Sequence, residues 1–315
     1  MNEINYLIIS NTIDFSTDLI CIELEERGLN YLRINRDKFL EYRITYDLER
    51  NNILIIVNER VYKISDEKLK AIYFRAPVFL RNNKTYGLDQ QLYRNQWSSF
   101  IRNLVVFDKC QWINHPQDTY IAENKMYQLK IAREVDLIVP KTIVTNIASQ
   151  NIESEKKFIV KSLDTALFYN NDEELFTYST CINGRDLKKY DLRSAPIIIQ
   201  DFIENKIDIR VTTVGNKVFP VQILKNKQGI DGDWRKTSKE LLEYVPVSLP
   251  FDLVSKIIKL MNRLNLKFGG IDLMLVNDTY YFVEVNPTGE WGWLQFSTNV
   301  NLAKVIVDYL ENGEN

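Results

Sequence analysis

Histidine is nearly absent from this chain: His115, ahead of Pro116, is the single one. Acid–base or triad chemistry built on imidazole would rest on that turn residue, which is expected to be structural. Cysteine is equally sparse. Cys21, Cys110 and Cys181 stand far apart, with no Cys-x-x-Cys pair, so neither a zinc site nor a disulfide framework is expected. A reducing, cytoplasmic setting fits that usage. No apolar run reaches the about 18 residues of a membrane span, and Met1 to Asn5 lacks the basic and apolar regions of a signal peptide. The net charge of -2 gives no basic field for a nucleic acid. Glycine is missing where nucleotide folds often need it. The first apolar strand ends in Ser10-Asn11-Thr12, so the Rossmann fingerprint and the P-loop are both absent.

What remains is an ordinary globular balance, 45% apolar and 26% charged, in 315 residues, enough for two or three packed units. In the first third, Tyr6 to Ile9, Tyr31 to Ile34, Ile53 to Val57 and Ala71 to Phe74 read as strands. Helices fall at Asp18 to Arg27 and along the stripe Leu88, Leu92, Trp97, Ile101. The pattern suggests a small open α/β domain over 1–116. A helix is expected from Asp118, as its N-cap, to Val135. The strands Thr142 to Thr145 and Phe158 to Lys161 follow, then helix and loops over 170–193, closing a second unit at 117–195. The third unit, 196–315, opens on the strand Pro196 to Ile203. It continues with Ile207 to Val211, Val218 to Ile223 and a Gly-bearing loop over 226–239. The amphipathic helix Leu253 to Leu264 comes next.

The densest chemistry lies near the end. Gly269 to Leu275 and Tyr281 to Asn286 read as two apolar strands around a turn at Asn277-Asp278. They carry Asp272 on the first strand and Glu284 and Asn286 on the second. Carboxylates are costly in apolar strands unless paired. Such a set of oxygen donors suits a hard divalent cation that shares nucleotide phosphates.

In order along the chain, these motifs resemble the ATP-grasp ligases, from about Asn114 to Gln295, with the α/β unit in front as the pre-ATP-grasp domain. The resemblance implies two α+β lobes clasping ATP and Mg²⁺, and a carboxylate activated as an acyl phosphate. Lys125 and Lys161 correspond to the two ATP lysines. Gln200, Asp201, Phe202 and Ile203 correspond to the interlobe segment whose backbone binds adenine. Glu204 or Asp208 would take the ribose. Asp208-Ile209-Arg210 resembles the D-x-R strand, its polar side chains sharing one face, and Asp233-Trp234-Arg235 a second arginine motif. Arg210 and Arg235 would steady the transferring phosphoryl group, and Asp272, Glu284 and Asn286 would hold the metal.

Two further runs, Tyr73-Phe74-Arg75-Ala76-Pro77 and Asn286-Pro287-Thr288-Gly289-Glu290-Trp291-Gly292-Trp293, resemble the graspetide synthetases of the microviridin type. Their members join Asp or Glu side chains of a ribosomally made precursor peptide to Thr or Ser hydroxyls, or to Lys amines. The resemblance implies a homodimer and leader contacts within 170–193. Arg75, Glu290 and Trp291 are the substrate-binding candidates, with Trp291 and Trp293 sharing one face of an extended run. Asp233 and Glu290 are the candidate bases. Two other readings stay open: an ATP-grasp ligase of free amino acids or protein tails, and a non-catalytic module of the same fold.

Overall fold

In the computed structural model the apolar runs of the N-terminal third assemble into a parallel sheet. Residues 1–76, 87–147, 152–164, 167–170, 173–176 and 179–313 are described, with side chains outside 165–178. The sheet runs in the order Tyr31–Asn35, Tyr6–Ser10, Ala71–Phe74, Gln111–Ile113. Tyr6–Ser10 and Ala71–Phe74 are buried along their whole length, as parallel strands covered on both faces must be. The helix Phe15–Glu26 covers one face, and the Asp14 carboxylate accepts from the Thr17 N–H at its start. Asn52–Val57 does not join this sheet. It pairs antiparallel with Arg43–Asp47 and Arg60–Ser65 in a second sheet. Ile53, Ile55 and Ile64 of that sheet pack on Phe39, Leu69 and Trp112.

The expected helix from Asp118 to Val135 is two helices, Pro116–Ala122 and Lys125–Glu134. His115 rather than Asp118 caps the first, its Nδ1 accepting from the Gln117 N–H at 3.3 Å. The break goes with a contact distant in sequence. The buried Gln128 amide donates to the Ala122 carbonyl and, at 2.8 Å, to that of Val285, while its oxygen accepts from the Val285 N–H at 3.0 Å. The Ala122 carbonyl, which a continuous helix would use internally, is thereby taken by a side chain that also holds the Val285 backbone of the 268–286 hairpin. Lys125 becomes the first residue of a new helix beside that hairpin.

The central sheet runs Thr180–Asn183, Lys157–Lys161, Ile197–Asp201, Thr142–Thr145. Ile197–Asp201, which opens the third expected unit, hydrogen-bonds into this sheet on both sides. The helix and loops expected over 170–193 hold only from Gly184 onward. Leu167–Asn170 and Glu173–Phe176 form a two-stranded ladder, Thr180–Asn183 is a strand, and the helix Gly184–Leu187 is one turn. Phe168, Tyr169 and Phe176 favour strands despite the charged neighbours. Residues 171–172 and 177–178 of that stretch lie outside the described residues.

The C-terminal sheet is antiparallel, in the order Glu243–Pro246, Lys217–Leu224, Ile207–Val214, Phe268–Val276, Thr279–Asn286. Its hairpin turns through Asn277 and Asp278, both at positive φ (45° and 63°), the conformation that two-residue hairpin turns need. Ile209, Val211, Ile271, Leu273, Phe282 and Val285 face Leu253, Ile257, Leu260 and Met261 of the helix Phe251–Arg263. The opposite face carries the polar residues.

The chain then returns to its beginning. Ala303, Ile306, Val307 and Leu310 of the helix Leu302–Asn312 pack with Tyr6, Ile8, Ile20 and Tyr73. Asn114 joins the first sheet to the last. Its Nδ2 donates to the Phe268 and Pro287 carbonyls at 2.8 and 2.9 Å, and its Oδ1 accepts from the N–H groups of Lys267 and Phe268 at 2.8 and 2.9 Å. Asn114→Ala leaves those buried groups without partners and is expected to cost about 2–4 kcal/mol. The check is a lower urea midpoint with an unchanged slope.

Candidate active site

Strand register builds the site. Arg210 lies directly opposite Asp272, and Asp272 opposite Glu284. Paired residues on neighbouring strands point to the same face, so the three stand in a row on the polar face. A bulge between Asp272 and Leu273 shifts the register. Below it Met274 pairs with Tyr281, and above it Asp272 pairs with Glu284, so Val283 and Glu284 both line the cleft. Bulges re-aim side chains in this way beside functional sites. Strict alternation could not have placed Val283 there.

This face closes a cavity of about 350 Å³ against the central sheet. Lys125, Lys161, Gln200, Asp201, Phe202, Ile203, Asp208, Arg210, Arg235, Asp272, Glu284, Asn286 and Glu290 all line it. The expected nucleotide and metal residues, spread over some 160 positions of sequence, are thus brought together. Lys125 reaches Glu284 at 3.6 Å. Arg210 reaches Asp272 at 3.2 Å. Asn286 Nδ2 donates to Asp272 at 3.3 Å and to Glu284 at 3.4 Å. Arg235 holds Asp233 through two hydrogen bonds of 2.9 and 3.0 Å.

The charges shape one another. Burial raises the Asp272 carboxyl above its ordinary range, against the pull of Arg210. Burial acts on Glu284 in the same sense, but Lys125, Lys161 and Arg235 outweigh it and hold its carboxyl low. Burial, with Lys125 and Arg235 nearby, lowers the Lys161 ammonium although Glu284 opposes it. Two carboxylates and an amide offer the hard oxygens that Mg²⁺ takes, with its other positions left to water and phosphate. The donor set therefore fits that ion.

Several placements were not legible beforehand. Lys206 is buried, pairs with Asp208 and donates to the Ile230 carbonyl at 3.2 Å. Burial, only partly offset by Lys206, pushes the Asp208 carboxyl up to about 6. The i, i+2 spacing of Asp208 and Lys206, which sits just before the strand Ile207–Val214, was the available signal. Glu204 instead pairs with Lys157 at 3.1 Å on the surface. The side chain of Gln200 donates to Thr142 Oγ1 at 2.8 Å, and Asp201 pairs with Lys156 at 2.7 Å. Both side chains are thus committed to the central sheet. The leader contacts expected over 170–193 fall partly outside the described residues.

Trp291 is a correction. It is fully buried and its Nε1 donates to Tyr73 Oη at 3.1 Å, so it packs on the N-terminal sheet and cannot flank a peptide. It shares no extended run with Trp293, because the helix Gly292–Thr298 starts between them. Trp293 packs on Tyr244 with the rings tilted by 52° and their centroids 4.7 Å apart. Arg75 does not line the cavity. It forms an ion pair with Asp14 at 2.8 Å and another with Glu290 at 2.8 Å. Pro77 of its motif lies outside the described residues.

The Arg75 pair predicts acid sensitivity. Burial alone would raise the Asp14 carboxyl. The Arg75 guanidinium and the hydroxyls of Ser10 and Thr17 outweigh burial and hold it at about 2, against 3.8 unperturbed. A depressed folded-state value stabilises fully above the unfolded one and is lost as the pH falls through the folded one. About 2 kcal/mol should therefore disappear between about pH 4 and pH 2. Urea midpoints across that window should fall less steeply in Asp14→Asn than in the parent chain.

Over residues 181–310 the chain matches the RimK-like ATP-grasp domain. Among curated proteins, a probable alpha-L-glutamate ligase of Legionella pneumophila (strain Corby) is 30% identical over 119 residues, 37% of this chain and 38% of that protein. The match thus spans well under half the length of that relative. A tetrahydromethanopterin:alpha-L-glutamate ligase of Methanococcus maripaludis is 23% identical over 310 residues, 96% of each chain. Among solved structures, the RiPP-associated ATP-grasp ligase of Chryseobacterium gregarium, in complex with ADP and a leader and core peptide, superposes with a TM-score of 0.85. It is 25% identical, with 100% of this chain and 98% of that one covered. The macrocyclase MdnC of Microcystis aeruginosa MRC, bound with precursor peptide MdnA, gives a TM-score of 0.82 at 24% identity, over 98% and 99% of the two chains. Among the described residues, no helix is long and apolar enough to cross a membrane.

Proposed function

We propose that this chain, an ATP-grasp protein with a RimK-like domain over residues 181–310, is an ATP-dependent peptide macrocyclase. It joins Asp or Glu side chains of a ribosomally made precursor to Thr or Ser hydroxyls as esters, or to Lys amines as amides. The observation that carries this reading is the whole-length likeness, N-terminal sheet included, to a ligase holding leader and core peptide.

ATP and Mg²⁺ are its cofactors. Lys125 and Lys161 take phosphate oxygens as point charges. The backbone of Gln200 to Ile203 borders the adenine, and Asp208 the ribose. Asp272, Glu284 and Asn286 hold the metal, which neutralises phosphate charge when bound. Arg210 and Arg235 offset the charge that develops as phosphate passes to the substrate carboxylate. Ester formation in water is uphill, so ATP cleavage drives it. The acyl phosphate hydrolyses readily, so the cleft must exclude water until the acceptor attacks. The lobe boundary belongs after Asp201, because Ile197–Asp201 pairs within the central sheet. A homodimer belongs to the same reading, with light scattering as its check.

The glutamate-ligase relatives favour a second reading, a carboxylate–amine ligase of free glutamate or a protein tail. One experiment separates the two. The enzyme is incubated with ATP, Mg²⁺ and short peptides encoded beside its gene, and intact masses are recorded. Loss of one water per ring is the expected result. Unchanged peptide mass, with ADP released on free glutamate, would favour the second reading.

A further inference from the structure

The cleft wall nearest the N-terminal sheet ends in Glu290, and the residues around it are pinned from behind. Arg75, with its side chain 7% exposed, donates through Nη1 to the Gly289 carbonyl at 3.1 Å and through Nη2 to Glu290 Oε1 at 2.8 Å. Ser16 donates to Glu290 Oε2 at 2.7 Å and accepts from the Gly292 N–H at 2.8 Å. Trp291 is anchored on Tyr73. The position before Glu290 and the two after it are therefore each tied to the N-terminal sheet or its first helix.

Arg75 is fixed in turn. Its Nε donates to Asp14 at 2.8 Å, and the hydroxyls of Ser10 and Thr17 donate to the same carboxylate. A planar fork with three partners has one orientation left to it. Glu290 itself stays 52% exposed and lines the cavity.

Its surroundings set it apart from the other cavity carboxylates. Asp208, Asp233, Asp272 and Glu284 each meet a cation inside the cavity, namely Lys206, Arg235, Arg210 and Lys125. Asp201 meets Lys156 of the central lobe. Among the described residues, Glu290 alone takes its cation from the N-terminal sheet, behind the wall. Asp14, Arg75 and Glu290 together carry one net negative charge. Glu290 brings that charge to the cavity that Lys125, Lys161, Arg210 and Arg235 also line.

We propose that Glu290 is the catalytic residue that receives the proton of the acceptor nucleophile, and that Arg75, fixed by Asp14, is its positioning residue. The inference rests on the macrocyclase reading. The acceptor's O–H or N–H donates to the free lone pairs of Glu290. As its oxygen or nitrogen bonds the carbonyl carbon, the proton passes to the carboxylate. The bond from that carbon to the phosphate oxygen breaks, and phosphate leaves with the electron pair. A base must sit within hydrogen-bond reach of the proton it takes, which the pinned loop provides.

The test separates activation from closure. Hydroxylamine traps the acyl phosphate as a hydroxamate on the peptide, and mass spectrometry counts rings in its absence. In Glu290→Gln, ring closure is expected to fall on the order of 10²–10⁴-fold, with hydroxamate yield falling far less. Glu290→Asp should recover part of the closure rate. Arg75→Gln combined with Glu290→Gln should be no slower than Glu290→Gln alone, since Arg75 acts through Glu290. Closure at the parent rate in Glu290→Gln, a proportional fall of closure and hydroxamate, or multiplicative effects in the double variant would each overturn the inference alone. Neither rings nor hydroxamate from the parent enzyme would overturn the macrocyclase reading together with it.

Discussion

Glu284→Gln is expected to lower ring closure at least on the order of 10²–10³-fold. The carboxylate lies opposite Asp272 in the strand register and 3.6 Å from Lys125. Three cations hold it ionised although it is buried. The amide keeps the shape and removes both the charge and a strong metal donor. Lys125, Lys161 and Arg235 then face one another with less compensation, so the proposed magnesium site is weakened and the cleft repels itself. Closure measured at saturating ATP with Mg²⁺ titrated should show a higher Mg²⁺ requirement as well as a lower ceiling. Undiminished biological activity in Glu284→Gln would instead favour the non-catalytic module.

Arg210→Met is expected to cost on the order of 10³-fold in the same assay. Arg210 is buried, and its Nε finds no hydrogen-bond partner among the described residues. An orphaned buried donor beside a carboxylate and a cavity is what a site awaiting an anionic group presents. Space is reserved for it: a Cβ on Gly270 would lie 2.9 Å from Arg210 Nη1. Methionine fills the stem and removes the fork, leaving Asp272 without its facing cation. Arg210→Lys should recover little, because a point charge cannot meet Asp272 and a phosphoryl oxygen in the same planar arrangement. Single-turnover closure rates for the two variants would check this, and Arg210→Lys close to the parent rate would remove the argument for a planar contact.

Much of the site was readable in advance because its residues sit on strands, where alternation assigns faces locally. Asp208 and Arg210 share a face, as do Glu284 and Asn286. The row Arg210, Asp272, Glu284 then follows once three neighbouring strands pair in register. The hairpin turn was equally local, since Asn277 and Asp278 tolerate the positive φ they adopt. Other features escaped because their causes lie far away in the chain. The helix break at Asn124 depends on Gln128 reaching Val285, 157 residues on. Trp291 was a substrate-binding candidate, and the contact that buries it is with Tyr73, 218 residues earlier, which receives its indole N–H.

By itself the sequence determined the ordered motifs and the polar pattern of the hairpin that carries Asp272, Glu284 and Asn286. These are properties of residue type and short-range periodicity. Only the tertiary structure decided that Val283 joins Glu284 on the cleft side, that Ile197–Asp201 belongs to the central sheet, and that Asp14 and Arg75 stand behind Glu290. Each of these depends on the register or packing of segments distant along the chain. Such contacts are selected by the burial of whole faces against one another, which no local window of residues contains.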